Sequence, residues 1–257
     1  VPRKKAYASL GSANKSLLGD FVLEDVHLYR INRHSFTVYV GGDPLHAADE
    51  DHSEPGVEYL MADRFEMNLS ILSGIDPHRP ILVHLASCGG DWEAGMQMFG
   101  AILTCPNPVT VLATRWARSM TSIIPLAADR FAMRPPARYM IHDGSASIFG
   151  TTKEVLTDSD ELRKSSEVMM RLYVARLKER GQYKLKTDED IFNILRGHMD
   201  RKSDVWLSAD EAKRWGFVDH IFDGNLNTLL ATSPNQSRRK RMLSVLRKPV
   251  HVMSRTY

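Results

Sequence analysis

Short apolar runs, each closed by glycine, proline or a polar cluster, set the rhythm of the first half of the chain. Phe36 to Val40 alternates and is rich in β-branched residues, which predicts a strand stopped by Gly41 and Gly42. From Val57 the apolar positions Leu60, Met61, Phe65, Leu69 and Leu72 recur at helical spacing, a helix that ends near Gly74. Ile81 to Leu85 reads as a buried strand, followed by Gly89 and Gly90 and a helical pattern from Trp92 to Leu103. A second such strand, Val109 to Thr114, leads into Ser119 and a helical pattern from Met120 to Ala128. Phe131 to Met133 and Tyr139 to Ile141 are short apolar pieces, the second closed by His142. Strand, glycine turn, helix, repeated, is the punctuation of an α/β protein.

The second half is helical and more polar. Thr151 and Glu154 have the spacing of a capping box and open a helix that runs to about Arg180, before Gly181. Its apolar positions are interrupted by many charges, so it is expected to project from the core or to pack on a second subunit. A short helix follows from Thr187 to Arg196, and Ser208 with Glu211 caps another over Ala209 to Trp215, stopped by Gly216. Phe217 to Phe222 is a last apolar strand. The pattern divides the chain into an N-terminal arm (1–20), one α/β domain (21–223) and a basic C-terminal tail (224–257). No acidic residue follows Asp223, and Arg238, Arg239, Lys240, Arg241, Arg247, Lys248 and Arg255 accumulate there. The tail is expected to be mobile and solvated.

Composition narrows the class. With 257 residues, 43% of them hydrophobic, the chain can bury one substantial core. A net charge of +3 gives no reason to expect nucleic acid as a partner. Two cysteines, Cys88 and Cys105, are too few for a disulfide framework or a zinc site and fit a reducing compartment. No apolar run has the length of a membrane span, and no apolar segment follows Val1 to Lys5, so a soluble cytoplasmic protein is expected. His46 and His52 flank Asp49 to Asp51, a set that reads as a solvated acidic loop rather than a metal site. Neither a metal nor a cofactor is expected.

The stretch from Val109 to Asp143 holds the candidate chemistry. A serine hydroxyl becomes a nucleophile when a histidine takes its proton, and that histidine needs an acid to fix its tautomer. Ser119 and His142 fill the first two roles, each at the end of a buried segment. Asp143, Asp200 and Asp204 are all open for the third. Backbone N–H groups at Gly90 and Met120 can serve a tetrahedral oxyanion. Spacing alone leaves a plainer alternative, with Ser119 only the start of a helix.

Four pieces occur together in a familiar order: Gly89-Gly90 after a strand, Ala117 to Met120 around Ser119, Arg130 to Met133 leading into Met140 to His142, and Trp206 to Ala212 through Gly216 to Asp219. Over roughly Phe36 to Phe222 the chain resembles the Clp protease proteolytic subunit. The resemblance implies a ClpP/crotonase-like spiral of β-β-α units with the helix from Thr151 as a projecting handle. It implies a serine endopeptidase with Ser119 as nucleophile, His142 as base and Asp204 as acid, and with Gly90 and Met120 at the oxyanion hole. It also implies a homo-oligomeric ring or stacked rings enclosing unfolded polypeptide, fed by an AAA+ unfoldase, since this chain has no Walker motif. Its setting would be the cytoplasm, an organelle or a phage-infected cell. Departures mark a divergent member: Cys88 where proline is usual, Arg115, Trp116, Arg118 and Thr121 around the serine where small residues are usual, and Asp143-Gly144 after the histidine. Two other readings remain: a ring subunit with an inactive site, and, ranked last, an acyl-CoA enzyme of the crotonase branch.

Overall fold

A computed structural model describes residues 15–41 and 56–250. Helix α1 (Lys15–Leu28) precedes a two-strand hairpin, β1 (Ile31–Asn32) and β2 (Thr37–Gly41). Then come α2 (Tyr59–Ile75), β3 (Ile81–Ser87), α3 (Trp92–Thr104) and the long strand β4 (Val109–Arg118). After β4 the chain forms α4 (Met120–Ile123), a 3-10 turn over Ile124–Ala127, β5 (Arg130–Met133) and β6 (Arg138–Ile141). The C-terminal part holds α5 (Thr152–Leu177), α6 (Asp188–Arg201), β7 (Val205–Ser208), α7 (Ala209–Trp215), β8 (His220–Ile221), α8 (Leu226–Leu229) and α9 (Gln236–Arg247). This is the mixed α/β fold that the resemblance implies.

The eight strands form one sheet in the order β1-β2-β3-β4-β5-β8, parallel from β2 onward. Strand β4 is shared. Its first half, Thr110 to Ala113, pairs with β5, and its second half, Trp116 to Arg118, pairs in parallel with β6. Strand β7 adds to β6 antiparallel, with Ile141 opposite Val205. A register irregularity between Leu85 and Ser87 lets β4 bend from one partner to the other. The main core lies between this sheet and helices α2, α3 and α5, with Phe65, Phe99, Phe131, Tyr139, Tyr173 and Phe217 nearly or completely inaccessible. At roughly 25 cal/mol per Å² of apolar area removed from water, these rings are a large part of what holds the layers together.

Local signals decide the helix ends. Capping boxes are present at Thr151/Glu154, Thr187/Asp190 and Ser208/Glu211, and Gly216 stops α7 in the left-handed conformation (φ +116°). The expected helix over Met120 to Ala128 is broken into α4 and a 3-10 turn because Pro125 lacks the N–H that a continuous helix needs. Only His220 and Ile221 of the expected last strand pair with the sheet. The arm expected over 1–20 gives way from Lys15 onward to α1. The loop with His46, His52 and Asp49 to Asp51 lies outside the described residues.

The expectation of a solvated tail is corrected. Helix α9 packs on α5 and the 3-10 turn, and two of its arginines are buried, Arg238 at 2% and Arg239 at 6% exposure. Arg239 grips Asp129 with both nitrogens, at 2.8 and 2.6 Å, while the same carboxylate accepts the N–H groups of Val109 and Asn235. Arg238 bonds Glu179 and Asp219 and also donates to the Ala128 carbonyl at 2.7 Å. Asp219 further pairs with Arg176 and Arg180 and accepts the Phe131 N–H. Two of the charges that looked free in sequence, Arg238 and Arg239, therefore satisfy acids contributed by distant segments. Burial by itself would raise the Asp219 carboxyl, but Arg176, Arg238 and Arg180 outweigh it and hold the group well below the usual carboxylate range.

Two outcomes follow from this network. Arg239→Ala leaves Asp129 buried without its partner and is expected to lower unfolding stability by roughly 3–5 kcal/mol, measured by urea denaturation. Since the folded Asp219 carboxyl lies below its unfolded value, its contribution is complete above about pH 4 and is lost as the pH falls below that. Asp219→Asn should therefore flatten the acid limb of stability against pH, and an unchanged acid limb would contradict the assignment.

Candidate active site

Pairing of β4 with β6 assembles the core of the site. Arg118 lies beside Met140 in register, and the Ser119 N–H donates to the Met140 carbonyl at 3.1 Å. His142, two residues beyond Met140, then reaches back over the end of β4, and its Nε2 lies 2.7 Å from Ser119 Oγ. The antiparallel partner β7 begins at Val205, directly across from Ile141, which sets the preceding residue beside the imidazole. Asp204 Oδ1 lies 3.5 Å from His142 Nδ1. Asp143 instead forms an ion pair with Arg196 at 2.7 Å, and Asp200 has no contact with the imidazole among those described. Of the three open acids, the structure brings only Asp204 to the histidine.

Ser119 is backbone-strained. Its φ of +53° with ψ of −128° is a conformation that a residue with a Cβ rarely adopts, at a cost of roughly 1–3 kcal/mol. The turn points the side chain out of the sheet edge at the start of α4, where the first helical N–H groups have no partner within the helix. One such N–H is that of Met120. Thr121 braces the turn by donating its hydroxyl to the Ser87 carbonyl at 2.8 Å and accepting the Arg118 N–H at 3.1 Å.

The glycine turn supplies the opposite wall. Gly89 (φ +96°) packs so closely that a Cβ there would lie 2.5 Å from Ser119 Cβ and 3.0 Å from the Met120 nitrogen. Val57 donates its N–H to the Gly89 carbonyl at 2.6 Å, and its own carbonyl accepts the Asp91 N–H at 2.9 Å. That ladder occupies the groups on either side of Gly90 and turns the Gly90 N–H away from Val57, as in any parallel bridge. Gly90, Ser119, Met120 and His142 all line one cleft of about 640 Å³. Its remaining walls mix apolar residues, Trp92, Ile123, Leu162 and Met169, the last two from α5, with polar ones, among them Asp91, Asp143, Ser165 and Ser166. An acyl group bound there would have a nucleophile, a base and two backbone donors within reach.

Arg115, Trp116 and Arg118 do not fill this cleft. The guanidiniums of Arg115 and Arg118 stack on the Trp116 ring at 4.4 and 4.6 Å, and Arg118 and Arg138 also approach Trp206 at 6.0 Å. None of these residues lines the cleft, so the bulk that departs from the family pattern is carried on another face of β4, β6 and β7. Sequence reading missed Ser122, Tyr139 and Tyr173: beneath Ser119 the Ser122 and Tyr173 hydroxyls meet, and the Tyr139 hydroxyl donates to the Ser122 carbonyl. No short motif links them, since Tyr173 is 51 residues from Ser122. Among the described residues no group of three or more His, Cys, Asp or Glu side chains could hold a metal ion. No helix among them is long and apolar enough to cross a membrane.

Comparison with known proteins gives a consistent picture. A family model described as Clp protease matches residues 54–225. The ATP-dependent Clp protease proteolytic subunit 3 of Streptomyces coelicolor is 30% identical over 187 residues, 72% of this chain and 78% of the relative. The proteolytic subunit 1 of Chlamydia muridarum is 34% identical over 176 residues, covering 66% of this chain and 83% of the relative. A solved structure of a ClpP1 variant from Listeria monocytogenes superposes with a TM-score of 0.57 at 25% identity, over 77% of this chain and 96% of that one. On the extent of the family match and the shared fold, this chain belongs to the Clp protease family.

Proposed function

We propose that the chain is an active serine endopeptidase that cleaves unfolded polypeptide. The observation that carries this reading is the 2.7 Å contact between Ser119 Oγ and His142 Nε2 in a cleft that Gly90 and Met120 also line. In the reaction, Ser119 Oγ attacks the scissile carbonyl while His142 Nε2 accepts the hydroxyl proton. Asp204 holds the Nδ1–H tautomer and favours the imidazolium that forms. The Gly90 and Met120 N–H groups donate to the oxyanion of the tetrahedral intermediate. Collapse breaks the C–N bond, and His142 returns its proton to the leaving amine. Water then hydrolyses the acyl-enzyme by the same groups in reverse roles. The apolar part of the cleft wall, Trp92, Ile123 and Met169, suits an apolar substrate side chain next to the scissile bond.

Family membership supports the assembly that goes with this chemistry: a homo-oligomeric ring or pair of rings, with an AAA+ unfoldase supplying the polypeptide. The projecting half of α5 fits a contact between rings, because Leu156 and Leu162 stand exposed on it at 58% and 43%. A ring subunit with an inactive site is favoured by one observation, the 3.5 Å His142–Asp204 separation, which exceeds a good hydrogen bond.

Labelling by a serine-directed fluorophosphonate separates the two. The wild-type protein is expected to label and to cleave a fluorogenic peptide, and Ser119→Ala to do neither; an unlabelled wild type, or equal labelling of the variant, defeats the peptidase reading. Asp204→Asn should retain the fold and lower kcat by at least about 100-fold, in keeping with a lost tautomer restraint. Gly89→Ala, which drives a methyl against Ser119 Cβ and the Arg118 carbonyl at a positive φ, should remove cleavage and also lower the thermal unfolding temperature.

A further inference from the structure

Beneath the cleft, two hydroxyl groups that the reaction scheme leaves unused converge on the peptide carrying an oxyanion donor. Ser122 donates both its N–H, at 2.8 Å, and its Oγ–H, at 2.6 Å, to the Ser119 carbonyl. That commits the only hydroxyl proton of Ser122, so in the 2.6 Å contact between Ser122 Oγ and Tyr173 Oη the tyrosine is the donor. Tyr139 donates to the Ser122 carbonyl at 2.7 Å, which fixes the same residue from another side. Ser122, Tyr139 and Tyr173 are all fully buried. Burial holds both phenols well above their ordinary value, so each remains an O–H donor through any working pH.

The consequence lies in peptide geometry. A trans peptide is planar, so the Ser119 carbonyl and the Met120 N–H point in opposite directions from one rigid unit. Drawing the carbonyl down onto Ser122 aims the N–H up into the cleft. The strained backbone of Ser119 gives this plane a reason to rotate, and the Tyr173–Ser122–Ser119 chain opposes it. A serine bonding back three residues is common at helix starts. A buried tyrosine from a separate helix bonded to that serine is a built support.

We propose that Ser122 and Tyr173 are positioning residues for the proposed peptidase reaction, holding the Met120 N–H in the direction of the tetrahedral oxyanion. The inference rests on the peptidase reading. It concerns the transition state and not substrate binding, because the oxyanion exists only there.

Ser122→Ala and Tyr173→Phe each remove one hydroxyl with little change in volume. The full-length variants would be compared with wild type for kcat and KM on a fluorogenic peptide, for affinity toward a peptide boronate that forms a tetrahedral adduct, and for thermal unfolding. Active sites would be counted by end-point fluorophosphonate labelling. Ser122→Ala is expected to lower kcat per labelled site about tenfold with KM within about twofold, less than the loss of a whole donor. Boronate affinity should fall in step with kcat. Tyr173→Phe should act in the same direction but less, and the double variant should be no worse than Ser122→Ala, since the two act through one chain. Unchanged kcat per labelled site, even with a lower unfolding temperature, would reduce both residues to structural roles and overturn the inference, as would a change confined to KM. A wild type that neither labels nor cleaves would overturn the peptidase reading and this inference with it.

Discussion

Three residue pairs between parallel strands, Trp116 with Arg138, Ala117 with Tyr139 and Arg118 with Met140, hold the arrangement together. Strand β4 leaves β5 after Ala113 and takes β6 as its new neighbour, and that exchange sets the far end of β4 against the far end of β6. Because the pairing is parallel, both strands end on the same edge of the sheet, and the residues just beyond their ends meet. Beyond β4 stands a serine, and beyond β6 a histidine. A slip of one residue in this register would turn His142 to the opposite face and separate it from Ser119. Adding β7 antiparallel to β6 brings the start of a third segment, with Asp204, to the same edge.

Fold elements with local causes were legible in the sequence. Thr151 with Glu154 and Ser208 with Glu211 announced their helices because a capping box is written within four residues. The β-turn-α rhythm was legible for the same reason, and it limited the fold to an α/β class. The tail was not legible, because the fate of Arg238 and Arg239 depends on Asp129, Glu179 and Asp219, which lie 19 to 110 residues away. A run of arginines without nearby acids looks solvated until the fold supplies the acids. Burial then becomes tolerable only because every guanidinium is met by carboxylates and carbonyls together.

The site divides along the same line. Ser119 and His142 stood out as residue types at the ends of apolar segments, and Gly89-Gly90 as a turn able to expose backbone N–H groups. Choosing among Asp143, Asp200 and Asp204 needed the resemblance; adjacency to His142 on an extended segment already turns the Asp143 side chain elsewhere, and it goes to Arg196. Ser122 and Tyr173 carried no signal at all. A serine three residues into a helix and a tyrosine on an amphipathic face are ordinary until packing brings their oxygens to 2.6 Å.

Strain and support are two sides of one requirement at Ser119. For its hydroxyl to leave the sheet edge and face a base, its backbone must adopt a positive φ, and for the next N–H to face the same cleft, the peptide plane must be fixed as well. Gly89, with no side chain, fills the space above that plane, while Ser122 holds its carbonyl from below and Thr121 ties the turn to β3. No single contact among these is strong; a neutral hydrogen bond contributes only about 1 kcal/mol. Acting together on one peptide, they are of the order needed to offset a strain of roughly 1–3 kcal/mol. The larger residues of this divergent chain obey the same logic: Trp116 and Arg118 stack over the outer side of β4, away from the cleft, so the neighbours of the serine grow without crowding the space where an acyl group must sit.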